Sequence, residues 1–157
     1  MARENGFKET LCHDIEKGLP FLDKQFDIVI CTDVFEHIFK TEYLGTEIHR
    51  VLKDGGYAIL NVPNHNVLGT RILFLLGNGI RMHENVEDWN YFHIRFFTWN
   101  SWKKFLDYCG FKITKTYHHP TGIPVLRTLK HVTFPKSLVN KYPNLLSRRF
   151  LVKVEKQ

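Results

Sequence analysis

A chain of 157 residues with 43% hydrophobic content is long enough to bury a real core as one domain. Its longest apolar block, Ile72 to Leu76, is far too short for a membrane span, and the polar opening Met1-Ala2-Arg3-Glu4-Asn5 is not a secretory leader, so a cytoplasmic setting is expected. The net charge of +6 is scattered, with doublets only at Lys103-Lys104 and Arg148-Arg149, which argues for solubility or a mildly anionic partner rather than nucleic acid.

Residues Glu9 to Asp14 alternate weakly and predict a short strand. Leu19-Pro20-Phe21 reads as a loop, and Asp23-Lys24-Gln25 as the turn that delivers the next element. Ile28 to Cys31 is an unbroken apolar run, the pattern of a parallel strand covered on both faces by helices. It then turns polar, with Thr32, Asp33, Glu36 and His37 crowded into six positions. Ligands of open α/β sheets gather beyond the carboxyl ends of strands, so this edge is a candidate active site. An equally simple reading is a strand running into a solvated helix start that Asp33 caps.

Thr41 is the expected cap of a helix in which Leu44, Ile48, Val51 and Leu52 recur at helical spacing, with Lys53 near its end and Gly55-Gly56 stopping it. Tyr57 to Val62 reads as a second buried strand, closed by Pro63-Asn64. The alternation of strands and helix predicts a parallel sheet flanked by helices. Leu68, Arg71, Ile72, Leu75 and Leu76 define a helix that is apolar nearly all round and is expected to lie beneath the following segment. That segment, Met82 to Phe97, mixes acids, histidines and aromatics without a period, and fits either a substrate lid or an irregular core plug. Thr98 caps a helix carrying Trp102, Phe105, Leu106 and Cys109, closed by Gly110. Phe111 to Tyr117 is a strand by composition, His118 to Pro143 is loop-rich, and Phe150 to Val154 is a last strand. Cys12, Cys31 and Cys109 are too dispersed for a disulfide framework or a zinc knuckle, and no histidine spacing suggests a metal site.

Several segments in fixed order carry a family resemblance. Asp14-Ile15, Leu19-Pro20-Phe21, Phe26-Asp27-Ile28-Val29, Glu36-His37, Arg50-Val51-Leu52-Lys53-Asp54-Gly55-Gly56 and Val62-Pro63-Asn64 together resemble the class I S-adenosylmethionine-dependent methyltransferases. More narrowly they are similar to the branch that includes the ubiquinone-biosynthesis O-methyltransferases. Pro63-Asn64, Arg71, Leu75-Leu76-Gly77, Trp89, His93, Phe97-Thr98 and Gly110-Phe111 are also similar to the methionine-biosynthesis W family. The resemblance implies an α/β, Rossmann-like methyltransferase sheet of strand order 3-2-1-4-5-7-6, with parallel strands and an antiparallel carboxyl-terminal edge hairpin. It implies one methyltransferase-like domain over residues 1–157, with 64–97 as a helical and aromatic lid insertion. The family's opening strand and glycine-rich turn have no counterpart here: the only G-x-G, Gly77-Asn78-Gly79, follows a helix. The sheet is therefore expected to be partly truncated, leaving an apolar strand edge; three outcomes are open, namely that the first strand rearranges, that a second copy or a protein partner covers the edge, or that the reading frame is truncated.

What the resemblance implies for single residues follows. S-adenosylmethionine is the expected cofactor, with Asp14 accepting from its adenine amino group, the Ile15 backbone beside it, Leu19 lining the adenine pocket, and Thr32 and Asp33 facing its methionine end. Glu36 and His37 reach toward a small-molecule acceptor, and His37 is the expected general base because imidazole titrates near neutral pH. Asn64, Trp89 and His93 are the expected substrate-binding residues. The implied activity is methyl transfer to a small molecule; the competing reading is a non-catalytic, partner-binding module derived from the same fold.

Overall fold

The computed structural model describes residues 6, 9–77, 93–121 and 133–157. Four strands form one sheet: β1 (Phe26–Thr32), β2 (Leu52–Pro63), β3 (Phe111–Pro120) and β4 (Ser147–Lys156), in the order β1-β2-β4-β3. β1 and β2 run parallel, with Ile28 opposite Tyr57 and Thr32 opposite Asn61. β4 lies antiparallel to both β2 and β3, so three strands share one direction and β4 opposes them. This is the mixed α/β sheet with an antiparallel hairpin at one edge that the sequence predicts, and it matches the 4-5-7-6 portion of the expected strand order.

The core lies on one face of the sheet. Ala58, Leu60 and Val62 of β2 and Phe150, Val152 and Val154 of β4 are buried there. Against them pack Leu44 and Ile48 of α1 (Thr41–Val51) and Trp102 and Leu106 of α3 (Trp99–Tyr108). Phe35, Phe97, Trp102 and Phe105 form a knot of ring contacts at 5.1–5.8 Å that ties α3 to the turn after β1. α3 begins with a capping box between Thr98 and Ser101, as the sequence indicates at Thr98.

Several expectations are corrected. Residues 9–14 are exposed and form no strand; Asp14 instead caps a 3-10 turn (Ile15–Lys17) by accepting from the Glu16 amide at 3.1 Å. A short polar side chain competes well for such a turn. β1 is covered on one face only: Val29 and Cys31 pack on the core, whereas Ile28 is 47% and Ile30 67% exposed. Its apolar run is not matched by burial, since the face carrying Ile28 and Ile30 is uncovered and its outer edge is paired by no described strand. α1 ends at Val51, with Leu52 and Lys53 already in β2, and Gly55-Gly56 lies within that strand. Gly56 permits the approach of β1, since a Cβ there would sit 2.8 Å from the Asp27 carbonyl oxygen. Thr41 is the first residue of α1 and not its cap; its hydroxyl donates to the Ile38 carbonyl at 2.8 Å.

α2 (Leu68–Leu75) has no buried residue, so the burial expected beneath residues 82–97 is not found among the described residues; positions 82–92 lie outside them. The loop-rich stretch before β4 contains two short helices, α4 (Lys136–Lys141) and α5 (Pro143–Leu146). No helix of the described residues is long and apolar enough to cross a membrane.

Candidate functional site

The carboxyl end of β1 delivers its polar residues in two directions. Asp33 breaks the strand with a φ of +55°, a left-handed conformation that aspartate tolerates better than most residues. Its carboxylate accepts from Arg149 at 2.6 Å and from the Asn61 side-chain amide at 3.0 Å. These groups, with Thr32, His119 and Leu151, line an open cavity of about 430 Å³ at the rim of the sheet.

Beyond Asp33 the chain closes a 3-10 turn (Phe35–His37) that drives Phe35 and Glu36 inward. Glu36 is fully buried, and no other residue hydrogen-bonds either of its carboxylate oxygens. Burial raises its pKa and the nearby Asp33 charge adds to the effect, while its own backbone amide, His37 and Arg149 oppose it. The adjoining Cys31 thiol is pushed up to about 12, chiefly by burial and then by Glu36, which keeps it protonated.

Segment 93–97 is pinned over this turn. The Glu36 carbonyl accepts from the amides of Ile94 at 2.8 Å and Arg95 at 3.1 Å, and the Arg95 guanidinium donates to the Phe39 carbonyl at 2.6 Å. This places His93 Nε2 3.9 Å from Glu36 Oε1 and its ring 4.6 Å from that of His37. On its other side, His93 Nδ1 lies 2.7 Å from His65 Nε2. Burial lowers the pKa of His65, and burial together with the neighbouring imidazoles lowers that of His93, so both rings favour the neutral form.

The sequence-derived candidates thus meet in part. Glu36, His37 and His93 come together, and Thr32 and Asp33 line the adjacent cavity. Asp14 and Ile15 belong to the 3-10 turn whose Glu16 accepts from the Phe39 amide at 2.7 Å, which ties them to the rim turn. Leu19 is anchored to α1 through its amide, 2.7 Å from Glu47 Oε2. Asn64 holds two segments of the chain together. Its buried amide donates to the carbonyls of Ser147 at 2.8 Å and Asn144 at 3.1 Å, locking β4 to the strand end that carries His65. Trp89 lies outside the described residues. Sequence reading missed His65 and Arg149; an Asn-His pair straight after a strand end was the available signal for the first.

Residues 1–60 match the family model described as a methyltransferase domain. Over these residues the chain is similar to that family. No curated protein sequence matches the chain. Among solved structures, a Thermotoga maritima S-adenosylmethionine-dependent methyltransferase is 17% identical with a TM-score of 0.60, covering 90% of this chain and 61% of its own. A Bacillus halodurans C-125 protein assigned as a methyltransferase is 22% identical with a TM-score of 0.57, covering 97% and 74%. A Haloferax volcanii methyltransferase, solved in complex with the Trm112 methyltransferase activator, is 15% identical with a TM-score of 0.58, covering 99% and 66%. At these identities the likeness establishes the fold of the methyltransferase domain and not its chemistry. The chain spans 61% of the length of the Thermotoga protein.

Proposed function

We propose that this methyltransferase domain takes part in S-adenosylmethionine-dependent methyl transfer to a small-molecule acceptor. The observation that carries the reading is the rim of β1, where Glu36, His37 and His93 converge beside the cavity lined by Asp33 and Arg149. The donor set suits the cofactor's amino-acid end: a carboxylate for its ammonium group and a guanidinium for its carboxylate, already paired at 2.6 Å. Asp14 offers an exposed carboxylate for the adenine amino group, with the Ile15 backbone beside it and Leu19 lining that side. When bound, the cofactor supplies an electrophilic methyl group on a sulfonium, and the protein's part is alignment and proton removal. His37 is assigned to take the proton of an acceptor hydroxyl, with Glu36 behind it and His93 against its ring.

Calorimetric titration of the chain with S-adenosylmethionine tests this. Micromolar binding that falls at least tenfold in Asp33→Asn and Asp14→Ala supports the reading. Absence of binding at millimolar cofactor overturns it for this chain.

A second reading is a partner-binding module, favoured by the outer edge of β1 and the exposed Ile28 and Ile30. The activator complex of the Haloferax relative supports a protein partner for this fold. Light scattering across protein concentration, paired with the same cofactor titration, separates the two: self-association without cofactor binding favours the module.

A further inference from the structure

We propose that the free edge of β1 pairs with β1 of a second copy of this chain, antiparallel about a two-fold axis at Val29, joining two four-stranded sheets into one. The inference deepens the partner-binding reading above by naming the partner, and it stands without methyl transfer.

The first ground is the direction of the main-chain groups. Along a strand, the N–H and C=O of one residue point to one edge and those of the next residue to the other. The Asp33 amide donates to the Asn61 carbonyl at 3.3 Å, so residues 27, 29 and 31 are the ones that bond β2. Phe26, Ile28, Ile30 and Thr32 aim their groups away from the sheet, where no described strand takes them. Strand edges are commonly guarded by lysine or proline, and β1 contains neither.

The second ground is the register that this edge selects. With Val29 on the axis, Ile28 lies opposite Ile30 of the partner subunit, and Phe26 lies opposite Thr32 of the partner subunit. All four outward-aimed residues then sit in hydrogen-bonded pairs, about eight bonds in all, which is within the range of a standard interface. Moving the axis to Ile28 or Ile30 leaves one of the four unpaired in each copy and lowers the count to about six. The same strand satisfies both sides, which is the requirement of an isologous contact.

The third ground is the side chains. An axis normal to the sheet keeps the helix-free faces of both copies on one side. On that face Ile28 stands opposite Tyr57 and Ile30 opposite Ile59, and both β1 side chains are exposed. Pairing extends Ile59 and Ile30 into Ile28 of the partner subunit and Tyr57 of the partner subunit, an unbroken apolar row that the two-fold repeats. Such cross-strand pairs are what stabilise a sheet. The net charge of +6 opposes self-association at long range, but β1 holds a single charge, Asp27, which Lys53 neutralises at 2.8 Å. Asp27 is also the one poorly matched position, because it meets Cys31 of the partner subunit. Antiparallel pairing puts the two strand rims at opposite ends, so each rim cavity stays open.

The test is analytical ultracentrifugation of the untagged chain from about 1 to 100 µM, since a dimer's population depends on concentration. The expected result is a monomer–dimer equilibrium that stops at two copies, because a two-fold contact closes. Ile28→Lys with Ile30→Lys sets lysine against lysine and should weaken the dimer at least tenfold. Circular dichroism checks the fold; should that variant fail, Ile30→Thr, polar and β-branched, decides by a weakening of at least threefold. Oxidation in a Cys12→Ser background reads the register. A mixture of Ile28→Cys and Ile30→Cys chains should cross-link, because Cα atoms about 5.5 Å apart are within disulfide reach. Ile28→Cys alone should not, because its two copies stand roughly 8–9 Å apart. A chain that stays monomeric at the highest concentration overturns the proposal and leaves a foreign protein as the only partner for the partner-binding reading. A dimer that ignores the lysines, or Ile28→Cys cross-linking by itself, overturns this pairing and leaves that reading intact on another surface. S-adenosylmethionine binding by the double-lysine variant should equal the parent's, so the cofactor proposal is read separately.

Discussion

Removing the Arg50 guanidinium is expected to loosen the loop that leads into β1. Arg50 sits in the last turn of α1 and grips Glu47 with two nitrogens, Nε at 2.7 Å from Oε1 and a terminal nitrogen at 2.8 Å from Oε2. It also donates to the Leu19 carbonyl at 3.0 Å, the Phe21 carbonyl at 2.9 Å and Asp23 at 2.7 Å. Arg50→Met keeps the stem and deletes these bonds. The Asp23 pair is largely exposed and contributes roughly 0–0.5 kcal/mol. The fork to Glu47, whose side chain is 11% exposed, contributes roughly 1–2 kcal/mol after allowance for screening. The two carbonyl bonds add about 0.5 kcal/mol each, so the expected loss is roughly 2–3 kcal/mol, or about 5–10 °C in melting temperature for a chain of this length. Urea unfolding gives the free energy, and amide exchange at residues 19–23 gives the locality. Arg50 holds the Glu47 carboxyl below its usual range, joined by the Leu19 amide. A depressed carboxylate contributes stability above its unfolded pKa and loses it as pH falls through the folded value, so Arg50→Met should also flatten the acid limb. A variant within 0.5 kcal/mol of the parent would refute this; the backbone bonds of Lys24 and Gln25 to the end of α1 would then be holding the loop.

Gly45→Ala should destabilise by about 1 kcal/mol net. Overpacking of roughly 1–3 kcal/mol against Cys109 Sγ and Phe105 is offset by about 1 kcal/mol of helix propensity, and Cys109→Ala in the same chain should recover most of the loss in a urea double-mutant cycle. Stability should decline as pH falls below about 6.5, because burial lowers the pKa values of His49 and His118 and the unfolded chain then binds more protons than the folded one. His118→Phe should reduce that slope in urea midpoints measured between pH 7.5 and 5.5, and an unchanged slope would remove His118 from the account.

How much of this was legible follows from what each feature depends on. The edge of β1 was readable because an apolar run and an abrupt polar turn are both local, and the turn chemistry at Asp33 is local too. The strand order came with the family resemblance that those motifs carry, not from any reading of packing. Exposure of Ile28 and Ile30 was not readable, because an edge strand and a central strand carry the same residues and differ only in what lies beside them. Asn64 looked like a ligand contact because it follows a strand end, yet its donors are spent on carbonyls some 80 positions away. The histidine pair shows the limit most sharply. His65 and His93 are separated by 28 positions and a stretch of no periodicity, so no ligand spacing marks them. What joins them is the Glu36 carbonyl accepting two amides from residues 94 and 95, a backbone event with no side-chain signature. Spacing patterns in sequence detect clusters built on one helix or one turn; a cluster assembled from a strand end, a rim turn and a returning segment is visible only after the chain has folded.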